Sequence, residues 1–437
     1  MTVKAPHKTK ASQVSWLGDI PEHWGVIQSR RLFAERTERA QSGDKQLTAS
    51  QKFGVISQAR FMELEGQKVV QVLTGHDILK HVDIGDFVIS MRSFQGGLEI
   101  AQESGCISSA YVALTPVRQL DRRYFSYLFK SVPYIQALQS TSNLVRDGQA
   151  MRFANFALVD LPLVPLEDQA AIAAFLDRET RKIDELVEQQ IRLIYLVKEK
   201  RQAVISLAVT KGLNPNVRMK PSGVEWLGDV PESWEVLKFS RCVSITEGQV
   251  NPEEEPFRSM PLIAPNHIES GTGRLLGLET AAEQGAESGK YLCRQGDVIY
   301  SKIRPALAKA VISPTDALCS ADMYPMRGRM GLSQQYLFWL LLTPEFTGWS
   351  VLEADRVAMP KINRESLANL RLPVPPPAIQ TAISNYLDVH TRRFDDLVGE
   401  AEKAVGLLQE RRSALISAAV TGKIEVRAEA YAEVEAA

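Results

Sequence analysis

Cysteine is scarce in this chain. The four thiols, Cys106, Cys242, Cys293 and Cys319, show no C-x-x-C spacing. That excludes a zinc-ribbon or thiol-redox framework and leaves reduced side chains packed as small apolar groups. An excess of charge of either sign is missing as well, the net being −1. Nucleic-acid-binding domains often carry a basic surplus. Here residues 15–165 hold 16 basic and 15 acidic side chains, and residues 225–376 hold 15 and 19. Any nucleic-acid surface must therefore be a local patch, or share its electrostatics with a partner. No apolar run approaches the ~18 residues of a membrane span. The N-terminal MTVKAPHKTKASQ has no apolar core or cleavage site and is not a signal peptide. The expectation is a cytoplasmic protein with no membrane contact.

Catalytic constellations are absent too. The chain contains no GxSxG, no HExxH, no Rossmann GxGxxG and no paired-carboxylate motif. Gly285-Ala286-Glu287-Ser288-Gly289-Lys290-Tyr291 resembles a P-loop, but has three residues between its glycines and no Ser/Thr after the lysine. A phosphate cradle needs the longer loop and the Mg²⁺-binding hydroxyl. His76 and His81 are five apart, off the i,i+4 spacing that puts two metal ligands on one helix face. Neither a metal nor a cofactor of its own is expected. The chain reads as a binding and assembly protein.

Tryptophan is equally rare, six in 437 residues, and four of the six fall in two copies of one nonapeptide. Trp16–Trp24 is WLGDIPEHW and Trp226–Trp234 is WLGDVPESW, seven of nine positions identical at a shift of 210. The repeat continues downstream at 211. Gly85-Asp86 answers Gly296-Asp297, Gln169 answers Gln380, Asp184 answers Asp395, and Arg201 answers Arg412. Two halves that keep register over a whole unit share a fold. Their sequences diverge between these landmarks, which argues against a shared ligand. Trp16, Trp24, Trp226 and Trp234 are read as packing anchors at domain–helix junctions, because a rigid indole offers large buried area.

Residues 25–160 mix short strand-like segments, at Lys68–Leu73, Asp86–Met91 and Ala110–Leu114, with helical spacing from Tyr124 to Leu138. From Leu166 to Lys211 the pattern changes to an apolar stripe at heptad-like spacing, which includes Ile183, Leu186, Leu193, Val197 and Val204. The second copy repeats it with Phe394, Leu397, Val405, Leu408 and Leu415. About 46 residues at ~1.5 Å each make a rod of roughly 70 Å, whose stripe must be buried against another helix. The fold class is therefore α+β: two mixed α/β domains in tandem, joined by two long helices that pair as an antiparallel coiled coil with pseudo-twofold symmetry. The boundaries read as a disordered lead-in over 1–13, domains over 14–165 and 226–376, and long helices over 166–212 and 377–423. A linker over 213–225 and a frayed tail over 424–437 complete the chain.

Basic and amide side chains beside the Gly-Asp strands are the candidates for nucleic-acid contact. Lys302, Arg304 and Lys309 lie in a segment without acids, and their counterpart segment carries Arg92, Ser93 and Gln95. Arg and Gln read guanine and adenine edges, while Lys holds phosphate. The alternative reading is a pair of solvated turns. Arg118, Arg122 and Arg123, and likewise Arg327 and Arg329, are read as surface clusters.

The duplicated WLGD(I/V)PE(H/S)W, the Gly-Asp strands, the proline-rich runs ending at Gln169 and Gln380, and the matching helices together resemble one family, the specificity subunits of Type I restriction–modification systems. The resemblance covers about residues 14–423. It implies two target-recognition domains, each reading one half of a split, asymmetric double-stranded DNA sequence, and a helical ruler for the spacer. It implies no catalysis by this subunit. The partners it implies are two methyltransferase subunits acting on adenine N6 with S-adenosylmethionine, and two restriction/translocase subunits using ATP and Mg²⁺. Two alternatives remain open: the recognition subunit of a methyltransferase–nuclease fusion without a separate motor, and a coiled-coil scaffold whose end domains bind proteins. Copy two departs from the family pattern in placing Ile379 where copy one has Asp168, which removes an acid from the helix start.

Overall fold

The computed structural model describes residues 8–66, 78–91, 93–141, 151–354 and 360–426, the side chain of Phe94 excepted. The strand expected at Lys68–Leu73, His76 and Arg92 lie outside the described residues. Two compact units form, Met1–Gln190 with Lys403–Ala437, and Ile191–Glu402.

In the first unit a four-stranded antiparallel sheet runs in the order Phe33–Arg36, Val112–Pro116, Phe87–Ile89, Glu99–Ile100. Its covering helices are Arg122–Lys130 and Val132–Ser140. The helical spacing from Tyr124 to Leu138 is thus split at Ser131, which is extended, with Pro133 in the first turn of the second helix. Phe33 fills the space between sheet and helices. Its ring meets Phe87 at 5.7 Å and Phe125 at 5.2 Å, edge to face in both cases. Such pairs add about 0.5–1.5 kcal/mol beyond their buried area. Gly25–Gln28 pairs with Asp160–Leu163, so the domain's exit lies beside its entry and hands the chain to the long helix.

The second unit repeats the sheet in the same order, with Val243–Ile245, Met323–Gly328, Val298–Ser301 and Ala310–Ile312. Glu235–Lys238 and Arg371–Val374 make the matching entry–exit ladder. The surroundings of the sheet differ. Five strands from Gln249 to Cys319 form a second sheet, whereas among the described residues the first unit has two two-stranded ladders there, linked by a bridge between Gln46 and Cys106.

The long helices run Leu166–Lys211 and Pro377–Val420. In the first unit Ile172 and Leu176 share a core with Ile416, Ala419 and Val420, and twelve or so residues further on Arg412 Nε donates to Asp184 at 2.8 Å. In the second, Ile205 and Val209 share a core with Ile383 and Leu387, and Arg201 Nε donates to Asp395 at 2.9 Å. Rising along one helix means falling along the other in both units, which is antiparallel pairing.

Three devices recur at the helix ends. Gln169 Oε1 accepts the Asp121 N–H at 2.8 Å while its Nε2 donates to the Val164 carbonyl at 2.8 Å. Gln380 does the same with Ser333 at 2.8 Å and Pro375 at 2.7 Å. The buried hydroxyls of Tyr124 and Tyr336 donate to the last-turn carbonyls of Val420 and Val209, at 2.8 and 2.7 Å. Finally, each helix ends at a glycine in the left-handed region, Gly212 at φ +81° and Gly422 at φ +72°. A Cβ there would meet Trp234 at 3.2 Å or Trp24 at 2.9 Å. The buried Trp24 also donates from Nε1 to Asp168 at 3.0 Å. Where Ile379 replaces that acid, the buried Trp234 packs edge to face on Tyr336 instead. Trp16 Nε1 reaches the Asp160 carbonyl at 3.1 Å, and Trp226 packs half-buried on the second unit's core.

Several expectations need correction. The lead-in is not loose from residue 8 on, because Thr9–Ala11 pairs with Asp19–Pro21. The linker likewise contains Met219–Pro221, paired with Asp229–Pro231. Both strands are held by backbone bonds while their side chains stay largely exposed, so they leave no apolar signature. At the other end, Ile424 and Val426 pack on the first unit's core. The helical stripe is also incomplete: Ile183 is buried, but Leu186, Leu193 and Leu397 stay 45, 44 and 49 % exposed. Val197, Val204, Phe394, Val405, Leu408 and Leu415 are half-buried. Two helices cover only one side of each other's stripe, and burial is complete only where a domain packs against the helix ends.

Two outcomes follow for stability. Tyr336→Phe leaves the Val209 carbonyl buried without its donor and is expected to cost about 1–3 kcal/mol. Hydrogen exchange will register this as faster opening in the second unit, with the first unit unchanged. The other outcome concerns His81, a buried residue whose ring nitrogens lie 2.8 Å from Asp44 and 3.2 Å from Asp83. Burial opposes its charge, but these two carboxylates outweigh it and raise its pKa above 6.5. A raised pKa stabilises below the unfolded value and loses that contribution as pH rises through the folded value. The first unit's melting point should fall as pH rises past about 6.5, the ordinary histidine value, and His81→Gln should flatten that slope.

Candidate nucleic-acid interface

The Gly-Asp motif closes the turn before the third strand of each four-stranded sheet. Asp86 accepts the Asp83 N–H at 3.0 Å and the Arg36 guanidinium at 2.7 Å. Asp297 accepts the Arg294 N–H at 2.8 Å and the Arg327 guanidinium at 2.7 Å. The arginine comes from the edge strand in one unit and the inner strand in the other. Arg327, expected to be part of a free surface cluster, is thus an anchor of the sheet.

Beyond the strand Val298–Ser301 the chain makes a loop whose ends are zipped together, Ser301 N–H donating to the Lys309 carbonyl at 2.9 Å. A second segment pairs with its first residues. Arg304 N–H donates to the Pro360 carbonyl at 3.1 Å, and Ile362 N–H to the Lys302 carbonyl at 2.9 Å. Arg304 and Ala308 flank the short 3₁₀ turn Pro305–Leu307 with φ of +47° and +43°. A non-glycine residue held there costs on the order of 1–3 kcal/mol, and such strain concentrates at working sites.

The candidate side chains fare differently. Lys302 lies with Nζ 5.3 Å from the Tyr324 ring centre, and Arg304 is exposed. Lys309 is not free to read a base, since its Nζ donates to the Pro265 carbonyl at 2.7 Å and holds the loop. In the first unit Ser93 is fully buried and its Oγ accepts the Ser90 N–H at 2.9 Å, so it closes a turn. Gln95 is exposed.

Sequence reasoning missed the residue that joins this loop to its neighbours. Arg364 sits 5.3 Å from the Tyr324 ring centre and 5.8 Å from that of Tyr291, and donates to the Thr246 carbonyl at 2.7 Å. It forms one wall of a groove of about 880 Å³ that Arg294, Arg327, Arg329, Thr246 and Gln249 also line. Arg327 is neutralised by Asp297, and Arg364 lies 3.6 Å from Glu247. Arg294 and Arg329 are exposed and have no side-chain partner among the described residues. In a domain of net acidity two uncompensated cations therefore line this groove, which Arg364 and its Tyr324 contact link to Lys302. Such forks suit bidentate recognition of phosphate or guanine. No local pattern announces Arg364, which is sixty residues from that loop.

Residues 17–194 match the Type I restriction modification DNA specificity domain. Among relatives, the Type I restriction enzyme EcoDI specificity subunit of Escherichia coli is 27% identical over 281 residues, 61% of this chain and 62% of that one. The match thus spans less than two thirds of that relative's length. The MjaVIII specificity subunit of Methanocaldococcus jannaschii is 22% identical over 93% of this chain and 94% of its own. Among solved structures, a chain from work on complex assembly and conformational transition of the type I R-M system superposes with a TM-score of 0.68 at 14% identity, covering 93% of this chain and 99% of that one. The HsdS subunit from Thermoanaerobacter tengcongensis gives 0.51 at 15%, covering 93% and 98%. The structural likeness establishes the fold, and the sequence matches make residues 17–194 similar to a Type I DNA specificity domain and most of the chain similar to Type I restriction enzyme specificity subunits.

Proposed function

We propose that the chain is the non-catalytic subunit that reads a bipartite, asymmetric double-stranded DNA target, one half-site per domain. The two long helices set the spacer between the half-sites. The chain directs two methyltransferase subunits to the target and, in the full complex, two restriction/translocase subunits. S-adenosylmethionine, ATP and Mg²⁺ belong to those partners and not to this chain. One observation carries the reading. The two units keep the same sheet order and the same helix-end clamps, yet their sequences differ in the segment that follows the Gly-Asp strand. A duplicated frame with diverged reading loops is what two different half-sites require.

Two outcomes test this in complex with the methyltransferase partner, by sequencing methylated genomic DNA. Inserting one heptad at matched points in both long helices is expected to lengthen the spacer and leave both half-sequences unchanged; altered half-sequences would count against the ruler. Replacing Lys302 and Arg304 by alanine is expected to weaken the second half-site only, and each lost phosphate contact should lower the salt slope of binding by about 0.9. Equal weakening of both half-sites would mean that these residues hold the complex together.

A further inference from the structure

Arg201 and Arg412 occupy the same place in the two copies of the long helix, and each holds the matching aspartate of the antiparallel neighbour. They differ in what else they touch. Arg412 is 38% exposed. Among the described residues it bonds only Asp184, beside a cleft of about 350 Å³ lined by Lys130, Gln409 and Ser413. Arg201 is 4% exposed because a loop of the second domain covers it. Its Nη1 donates to the Gly271 carbonyl at 2.9 Å and its Nη2 to the Thr272 carbonyl at 3.3 Å. A guanidinium buried to that degree requires acceptors for its donors, and these two carbonyls supply them.

The covering loop is stiff. The Glu269 carboxylate accepts Thr272 Oγ1 at 2.7 Å and the Arg274 guanidinium at 3.0 and 2.9 Å. Gly273 lies so close to Phe338 that a Cβ would sit 2.3 Å from its ring. The loop is also joined to the candidate reading loop, Gly271 N–H donating to the Ala308 carbonyl at 3.2 Å. A continuous path of hydrogen bonds therefore runs from the long helix through Gly271 to the segment that carries Lys302 and Arg304.

We propose that Arg201 is a positioning residue and that residues 269–274 are a strap fixing the second domain's reading loop at one station along the long helix. Among the described residues the first domain has no counterpart. The strap sets the register of the second half-site against the spacer and leaves the bases read there unchanged. This rests on the bipartite-reading function proposed above.

The test uses the full chain with its methyltransferase partner and genomic DNA carrying all spacer lengths, comparing wild type, Arg201→Ala, Arg201→Lys and, as the matched control, Arg412→Ala. Wild type reports on the underlying reading: a split motif with one spacer length supports it, and no split motif removes it. Given that motif, Arg201→Ala is expected to raise methylation at spacers one base pair longer or shorter by about tenfold relative to the parent spacer, with both half-sequences intact. Arg412→Ala is expected to leave spacer preference unchanged. Arg201→Lys keeps the charge beside Asp395 but loses the fork, so it should behave as Arg201→Ala does and serves if the alanine variant fails to assemble. Faster hydrogen exchange at the amides of 269–274 in either variant accompanies the effect. Unchanged spacer preference, a second half-sequence that becomes degenerate, or the same broadening in Arg412→Ala would each overturn the proposal.

Discussion

Everything in this protein depends on closing the C-terminal ends of two very long helices. The last turn of an α-helix leaves four carbonyls without intrahelical partners, and burying such an end is costly unless something donates to it. Here the hydroxyls of Tyr124 and Tyr336 do so, from inside aromatic cores, and the adjacent glycine lets a tryptophan close over the turn. The nonapeptide is thereby explained without chemistry. Its second tryptophan is a lid on a helix end, and Pro21 lies against the same glycine in the first copy. Each domain is organised around receiving a rod.

That constraint separates what is duplicated from what is free to vary. The clamping glutamines, the Gly-Asp turns and the Arg–Asp pairs between helices all answer a backbone or charge requirement that both units share. The loops beyond the third strand answer none of these requirements. One unit builds a five-stranded sheet and lines a groove with Arg294, Arg329 and Arg364. The other spends its corresponding arginine, Arg36, on three carboxylates, Asp86, Asp83 and Glu38. Divergence is confined to surfaces whose shape the frame does not dictate.

The same division governs how much could be read from the chain. The repeat, the two rods and their ends were legible because they rest on local signals: heptad-like spacing, a proline before each helix, a glycine after it. The hairpins at Thr9–Ala11 and Met219–Pro221 were not, since exposed strands held by backbone bonds leave no apolar alternation. Ser93 and Lys309 carried the right functional groups for DNA contact, but their partners, the Ser90 amide and the Pro265 carbonyl, are fixed by tertiary geometry. The stripe residues Leu186, Leu193 and Leu397 followed the heptad rule, which assumes a fully enclosed seam. Arg364 was invisible for the opposite reason: its importance comes from two tyrosines and a carbonyl, each distant in sequence.

The way the units interleave along the chain bears on synthesis. Ile191–Glu402 is one uninterrupted stretch, whereas the other unit is assembled from Met1–Gln190 and Lys403–Ala437. The later-made domain therefore has all its parts while the earlier one still waits for Ile416, Ala419, Val420 and Val426 to cover its apolar face. On a ribosome, where domains generally fold as they emerge, the order of completion is inverted. The half that is translated first is the half that finishes last, and its unfilled core is the surface a chaperone would have to shield in the interval.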